Sequence, residues 1–158
     1  MFMHFDESMQ IIEDQKITHY KTKKLYLMES LGYVLAEDII AEHNSPAFPT
    51  SAMDGYAFRH EDITLGRLKI ASINPAGSEL KEAVLGGTCI KTFTGSLMPE
   101  GADTLIPIEN VAVDGDEIVI QEEVPSGFAV RDVGENYAQG QKLIAKGTTI
   151  DFPQIGVM

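Results

Sequence analysis

The residues of this sequence best suited to chemistry lie in three segments. The first is Thr50-Ser51-Ala52-Met53-Asp54-Gly55-Tyr56-Ala57-Phe58-Arg59, where small residues flank one carboxylate and Gly55 lets the backbone come close to another group. Its alternative is a plain Asp54-Gly55 turn, with Asp54 bonded to its own backbone. The second is Thr92-Phe93-Thr94-Gly95-Ser96-Leu97-Met98-Pro99-Glu100-Gly101-Ala102-Asp103. Its hydroxyls and backbone N–H groups suit an oxyanion; it lacks the lysine of a P-loop and equally fits an ordinary hydroxyl-rich loop. The third is Val130-Arg131-Asp132-Val133-Gly134-Glu135-Asn136-Tyr137-Ala138-Gln139-Gly140. An arginine can grip a phosphate or oxyanion with two parallel hydrogen bonds. Alternatively, Glu135 and Asp132 bond Arg131 itself as a local structural knot.

Other reactive types are less well placed. Cys89, the only cysteine, sits beside Ile90 in an apolar stretch and reads as a small core residue. A single cysteine allows no intrachain disulfide, which fits a reducing compartment. The histidines at 4, 19, 43 and 60 have no helical pairing and no zinc-spaced partner. Lys21, Lys23 and Lys24 form the densest basic stretch and read as a solvated edge.

The 158 residues suffice for one or two domains with a real core. Asp and Glu number 24 against 12 Lys and Arg, a formal charge of −12, which excludes a general nucleic-acid binder. No apolar run approaches a membrane span and the N-terminus does not read as a signal peptide, so the expectation is a cytoplasmic protein without membrane partners.

The elements that would position these segments are mainly strands. Residues 6–16 predict a helix, capped by Asp6 or Ser8, with Met9, Ile12 and the stem of Lys16 on one face. Alternation over Lys23–Met28 predicts a strand, and Leu31–Leu35 a helical turn leading to a strand at Asp38–Ala41. After Asn44-Ser45-Pro46, turn signals recur every 8–15 residues between short β-prone runs: Leu68–Ile73, Thr88–Phe93, Thr104–Ile108, Glu117–Gln121 and Lys142–Ile144. Asp114-Gly115 predicts a hairpin. Asp151 and Pro153 predict the start of a helix that the chain ends too early to finish, as expected of the front part of a longer protein.

Taken in order, Ser51-Ala52-Met53-Asp54-Gly55-Tyr56-Ala57, Thr94-Gly95 with Pro99-Glu100-Gly101-Ala102-Asp103, Arg131-x-x-Gly134-Glu135, and Gly140-x-x-Leu143-x-x-x-Gly147-Thr148 resemble the MoeA family. These are the molybdopterin molybdotransferases, related to the E domain of gephyrin. The resemblance covers the front of the family's length and implies a mainly β protein with a short N-terminal helical part, an α+β chain. It implies a helix over 1–21 packing on a later domain, a β-rich dimerisation segment from 22–40 and 141–158, and a mostly-β domain inserted at 41–140. Without the later domains, the chain alone is expected to be inactive.

The resemblance further implies molybdate insertion into adenylylated molybdopterin with release of AMP, Mg²⁺ as the cation, and a homodimer. A molybdopterin adenylyltransferase is a further expected partner. It places Asp54, Thr94 and Glu135 in catalysis, with Asp54 also holding the metal. Ser51, Gly95, Arg131 and Asn136 then bind substrate. The family usually has Gly-Glu-Asp where this chain has Gly134-Glu135-Asn136, and an amide cannot supply a carboxylate's charge. The alternative is a non-catalytic dimerisation or scaffold module of the gephyrin E-domain type, independent of Mg²⁺ and AMP.

Overall fold

In the computed structural model, residues 3–15, 21–78 and 82–158 are described. The chain divides into two units, residues 1–39 with 143–158, and residues 40–142.

In the first unit, α1 spans Phe5–Asp14. It begins one residue before Asp6, at an N-cap His4 whose side chain makes no capping bond. Asp6 and Glu7 therefore lie inside the first turn, where a negative charge meets the positive end of the helix dipole. Ser8 sends its hydroxyl to the His4 carbonyl at 3.1 Å instead of capping. No residue of α1 is buried, and Met9 and Ile12 are exposed. Lys16 lies outside the described residues.

The strand expected over Lys23–Met28 does not form. Leu27–Glu29 is a 3-10 turn, and Tyr26 and Met28 are 83% and 77% exposed. Alternation specifies a strand only when one of its faces is buried. The ladder of this unit lies further along, over residues 32–35 and 147–150. Gly32 donates to Ile150 O at 2.8 Å, Ile150 to Tyr33 O at 2.8 Å, and Leu35 to Thr148 O at 2.9 Å. Residues 31–35 are accordingly a turn and a bridge, Val34 to Thr149, not a helical turn. A helix, α2, spans Phe152–Val157 behind a complete capping box of Asp151 and Gln154. Of the strand expected over Asp38–Ala41, Ile39–Ile40 (β1) forms and pairs with Lys142–Ile144 (β10).

The second unit is built on a six-stranded sheet. Its strands are β3 (Gly55–Phe58), β4 (Arg67–Asn74), β5 (Thr88–Thr92), β6 (Thr104–Pro107), β7 (Val111–Asp114) and β8 (Glu117–Ile120). The order is β6-β3-β5-β4-β8-β7, antiparallel except for β4 with β5. β3 is buried throughout. Tyr56, Phe58, Leu68, Cys89, Ile106 and Ile118 form the core with Ile63 and Val124. Each large apolar side chain so buried contributes about 1.5–3 kcal/mol. The β7–β8 turn is Gly115-Asp116, one residue later than Asp114-Gly115, because Asp114 still pairs with Glu117. Gly115 has φ +66° and Asp116 a negative φ, the signs of a type II′ turn.

Two of the quoted glycines are steric necessities. A Cβ on Gly55 would lie 2.3 Å from Ile106 O, because β3 presses on β6 there. Gly101 has φ +84°, and a Cβ would lie 2.5 Å from Val84 O, whose amide donates to Glu100 O at 2.8 Å. The Pro99–Asp103 stretch thus closes the loop under residue 84.

Candidate functional site

The two short strands β2 (Thr50–Ser51) and β9 (Val130–Arg131) join the three chemistry-bearing segments. β2 pairs antiparallel with β9, Thr50 opposite Arg131 and Ser51 opposite Val130. Ala52 continues this side by donating to Ala129 O at 2.9 Å. On its other edge, Ser51 donates to Ser96 O at 2.9 Å, Gly95 donates to Ser51 O at 2.8 Å, and Thr50 bridges Leu97. Residues 94–97, 50–52 and 129–131 therefore lie side by side, with 50–52 in the middle.

Asp54 follows directly and precedes β3. Its Oδ1 accepts from the Thr94 amide at 2.8 Å and from the Thr94 hydroxyl at 2.7 Å. Both are open to solvent. The Thr94 amide first, then its hydroxyl, holds the Asp54 carboxyl below its ordinary 3.8, with Lys91 adding a smaller electrostatic pull. The expected local turn is thus not what holds Asp54: its side chain reaches across to the second segment. Ser51 is 1% exposed, and its hydroxyl donates to Met53 O, so it shapes the turn that delivers Asp54. Gly95, at φ +80°, turns the chain so that its amide faces Ser51 O.

In the third segment, Arg131 is tied by its own neighbours. Nε donates to Glu135 Oε1 at 3.2 Å and Nη2 to Asn136 Oδ1. Glu135 Oε2 accepts from the Asp132 amide at 3.1 Å, so one carboxylate fixes both the guanidinium and the loop. Asp132 enters through its backbone, not its side chain. Asn136 Nδ2 donates to Ser45 Oγ at 3.1 Å. The knot and the anion grip are compatible, since no acceptor among the described residues meets Arg131 Nη1.

Several residues that hold the site did not stand out in the sequence. Asn74 is 1% exposed; its Nδ2 donates to Leu97 O at 2.8 Å, and its carbonyl accepts from Ser96 Oγ at 3.2 Å. Together they anchor the loop after Thr94. Asn44 Oδ1 accepts from the Gln139 amide at 2.7 Å, and Ser45 N and O pair with Tyr137 O and the Asn136 amide. The only signals were the turn pairs Asn74-Pro75 and Asn44-Ser45-Pro46.

For a metal, the described residues hold no cluster of three His, Cys, Asp or Glu side chains. The described residues therefore build no all-protein cage. Mg²⁺ needs less, since it commonly keeps several waters and takes one or two carboxylates plus substrate phosphate. Asp54 fits that use, being ionised, exposed and oriented through Oδ1, with no donor among the described residues on Oδ2.

A small mainly-β sheet unit with this ladder is the front of a known architecture. A crystal structure of the molybdopterin biosynthesis moeA protein from Pyrococcus horikoshii superposes with a TM-score of 0.83 at 36% identity, covering 87% of this chain and 38% of that one. The sequence matches the MoeA N-terminal region (domain I and II) over residues 3–158, and the chain belongs to that family. Molybdopterin molybdenumtransferase of Haemophilus influenzae is 33% identical over 132 residues, 82% of this chain and 33% of its own length. Gephyrin of Dictyostelium discoideum is 27% identical over 170 residues, 97% of this chain and 24% of its own length. The chain thus spans about a third or less of these relatives. Among the described residues, no helix is long and apolar enough to cross a membrane.

Proposed function

We propose that this chain supplies part of a molybdopterin molybdotransferase, which inserts molybdate into adenylylated molybdopterin and releases AMP. The observation that carries the reading is the double hydrogen bond from Thr94 to Asp54 Oδ1, inside a ladder that assembles all three segments. Relatives named molybdopterin molybdenumtransferase support the chemistry.

Asp54 would hold Mg²⁺, which when bound neutralises phosphoanhydride and molybdate charge. Thr94 keeps Asp54 ionised and fixes Oδ1, leaving Oδ2 without a donor among the described residues. The Gly95 and Ser51 backbones keep that loop in place. Arg131 would grip an oxyanion through its Nη1 edge while Glu135 and Asn136 set its plane. Preorganised charge of this kind is the main help a protein gives to attack on an activated phosphoanhydride. The protein would act as a cytoplasmic homodimer, with a molybdopterin adenylyltransferase supplying its substrate.

The test is molybdate insertion by the full-length protein carrying Asp54→Asn. The substitution keeps shape and removes charge, so insertion should fall at least about a hundred-fold, in line with loss of one electrostatic stabiliser. Unchanged insertion would remove Asp54 from the mechanism. A second reading, from the resemblance to the gephyrin E domain, is a non-catalytic dimerisation or scaffold module; a relative named gephyrin is consistent with it. That reading expects binding of neither Mg²⁺ nor AMP.

A further inference from the structure

Residues 40–142 carry an uneven distribution of paired cations. Arg59 pairs with Glu61, Arg67 with Asp114 and Glu117, Lys69 with Asp116, and Arg131 with Glu135. Lys91 differs from these four. No carboxylate among the described residues lies within ion-pair distance of it, and its ammonium instead stands 5.7 Å from the Phe93 ring centroid. Lys23, Lys24 and Lys146 have no carboxylate among the described residues within ion-pair distance either, so what sets Lys91 apart is its place beside Asp54.

Its position is fixed by register. Lys91 stands opposite Tyr56 and Thr92 opposite Gly55 in the β3·β5 ladder. One step beyond that last pair lie Asp54 and Phe93. Side chains two apart on a strand share a face, so Lys91 and Phe93 point the same way. The Phe93 ring holds the ammonium by a cation–π contact without neutralising it. The chain therefore runs on from Lys91 near the end of β5 through Phe93 to the Thr94 donors, with Asp54 across from it. Lys91 is close enough to pull on the Asp54 charge, yet too far to form an ion pair with it.

We propose that Lys91 is an oxyanion-gripping residue of the Asp54 site, donating to the phosphoryl or molybdate oxygens drawn to a cation held there. This rests on the reading above. It assigns the primary grip to Lys91, a compact ammonium with three movable donors. Arg131, two of whose donors are already engaged by Glu135 and Asn136, is left a narrower role.

Calorimetric titration of the full-length protein tests it, with Mg²⁺ alone, AMP at saturating Mg²⁺, and molybdate at saturating Mg²⁺. Wild type is compared with Lys91→Met, Lys91→Arg, Lys69→Met and Asp54→Asn. Lys91→Met should weaken AMP or molybdate about ten-fold or more, the weight of one charge-assisted hydrogen bond. Lys91→Arg should restore most of it, and Lys69→Met should change nothing. The same Lys91→Met should leave Mg²⁺ alone unchanged or bind it more tightly, since a like charge has been removed. Loss confined to AMP assigns Lys91 to the phosphoryl group, and loss confined to molybdate assigns it to the metal oxyanion. Parallel weakening of Mg²⁺, AMP and molybdate overturns the proposal in favour of a structural role. Unchanged AMP and molybdate in Lys91→Met, with Mg²⁺ lost in Asp54→Asn, overturns it while leaving the Asp54 reading intact. A wild-type protein that binds neither AMP nor molybdate overturns both.

Discussion

Thr94 gives its amide and its hydroxyl to the same oxygen of Asp54, at 2.8 and 2.7 Å. Two donors on one oxygen stabilise the ionised carboxylate over the neutral acid. Thr94→Val removes one donor and keeps the shape. The Asp54 titration, followed by carboxyl-carbon NMR, should move up from its wild-type position towards 3.8, whereas Thr94→Ser should stay with wild type. The sign for stability follows. A carboxyl depressed in the folded state stabilises it above the unfolded value of 3.8, and that contribution is lost as pH falls through the folded pKa. The stability gap between wild type and Thr94→Val should therefore be full at pH 6 and shrink below 3.8. A constant gap would show that Asp54 is not the group responsible.

The sequence made the second unit far more legible than the first. Leu68–Ile73, Thr88–Phe93 and Glu117–Gln121 stand within a residue or two of β4, β5 and β8 because glycine turns bracket them and their neighbours pair with them. Lys23–Met28 has the same alternation but no strand beside it, so pairing, which is non-local, decided the outcome. In the candidate site, Asp54, Thr94 and Arg131 stood out in the sequence because their chemistry is carried by residue type. Asn74 and Ser45 did not, because they act through hydrogen bonds to residues 23 and 91 positions away in sequence. Lys91 lay in an ordinary strand pattern, and its lack of a paired carboxylate shows only once its neighbours are placed.

Gly55 separates Asp54 from the core, and its missing side chain is what lets β3 sit against β6. A methyl there would meet Ile106 O at 2.3 Å and Leu105 Cδ2 at 2.6 Å. Backbone cannot yield as a flexible side-chain tip would. Gly55→Ala should cost about 3 kcal/mol, the upper end for overpacking, read as a shift in urea midpoint at constant slope. A loss under about 0.5 kcal/mol, the size of an ordinary surface change, would mean β3 and β6 part easily.

Cys89 is fully buried beside Phe58, and burial pushes its thiol up to about 12 from 9.0. The folded protein should resist iodoacetamide at pH 8 and react only on unfolding, since the thiolate is the nucleophile. An acid whose proton is held more tightly in the folded state stabilises it below the unfolded pKa. That contribution erodes as pH rises from about 9 towards 12. Cys89→Ala should be less stable at pH 7, through the lost sulfur contacts, and should lose less stability than wild type between pH 8 and 10.5. Rapid labelling of the folded protein would contradict the burial.

Arg131 joins Glu135 and Asn136 through two different nitrogens, and Asn136 passes the connection to Ser45. Lysine cannot reproduce that planar fork. The Arg131 and Glu135 side chains are 36% and 48% exposed, so solvent screening limits the effect. Arg131→Lys should cost about 0.5–1 kcal/mol. Asn136→Ala should cost a similar amount, since it releases both Arg131 and Ser45. Because the two residues share one network, the double variant should cost less than the sum, with a coupling of about 0.5 kcal/mol or more. Thermal melts of the four proteins give the cycle directly. Strict additivity would mean that Arg131 is held by Glu135 and not through Asn136.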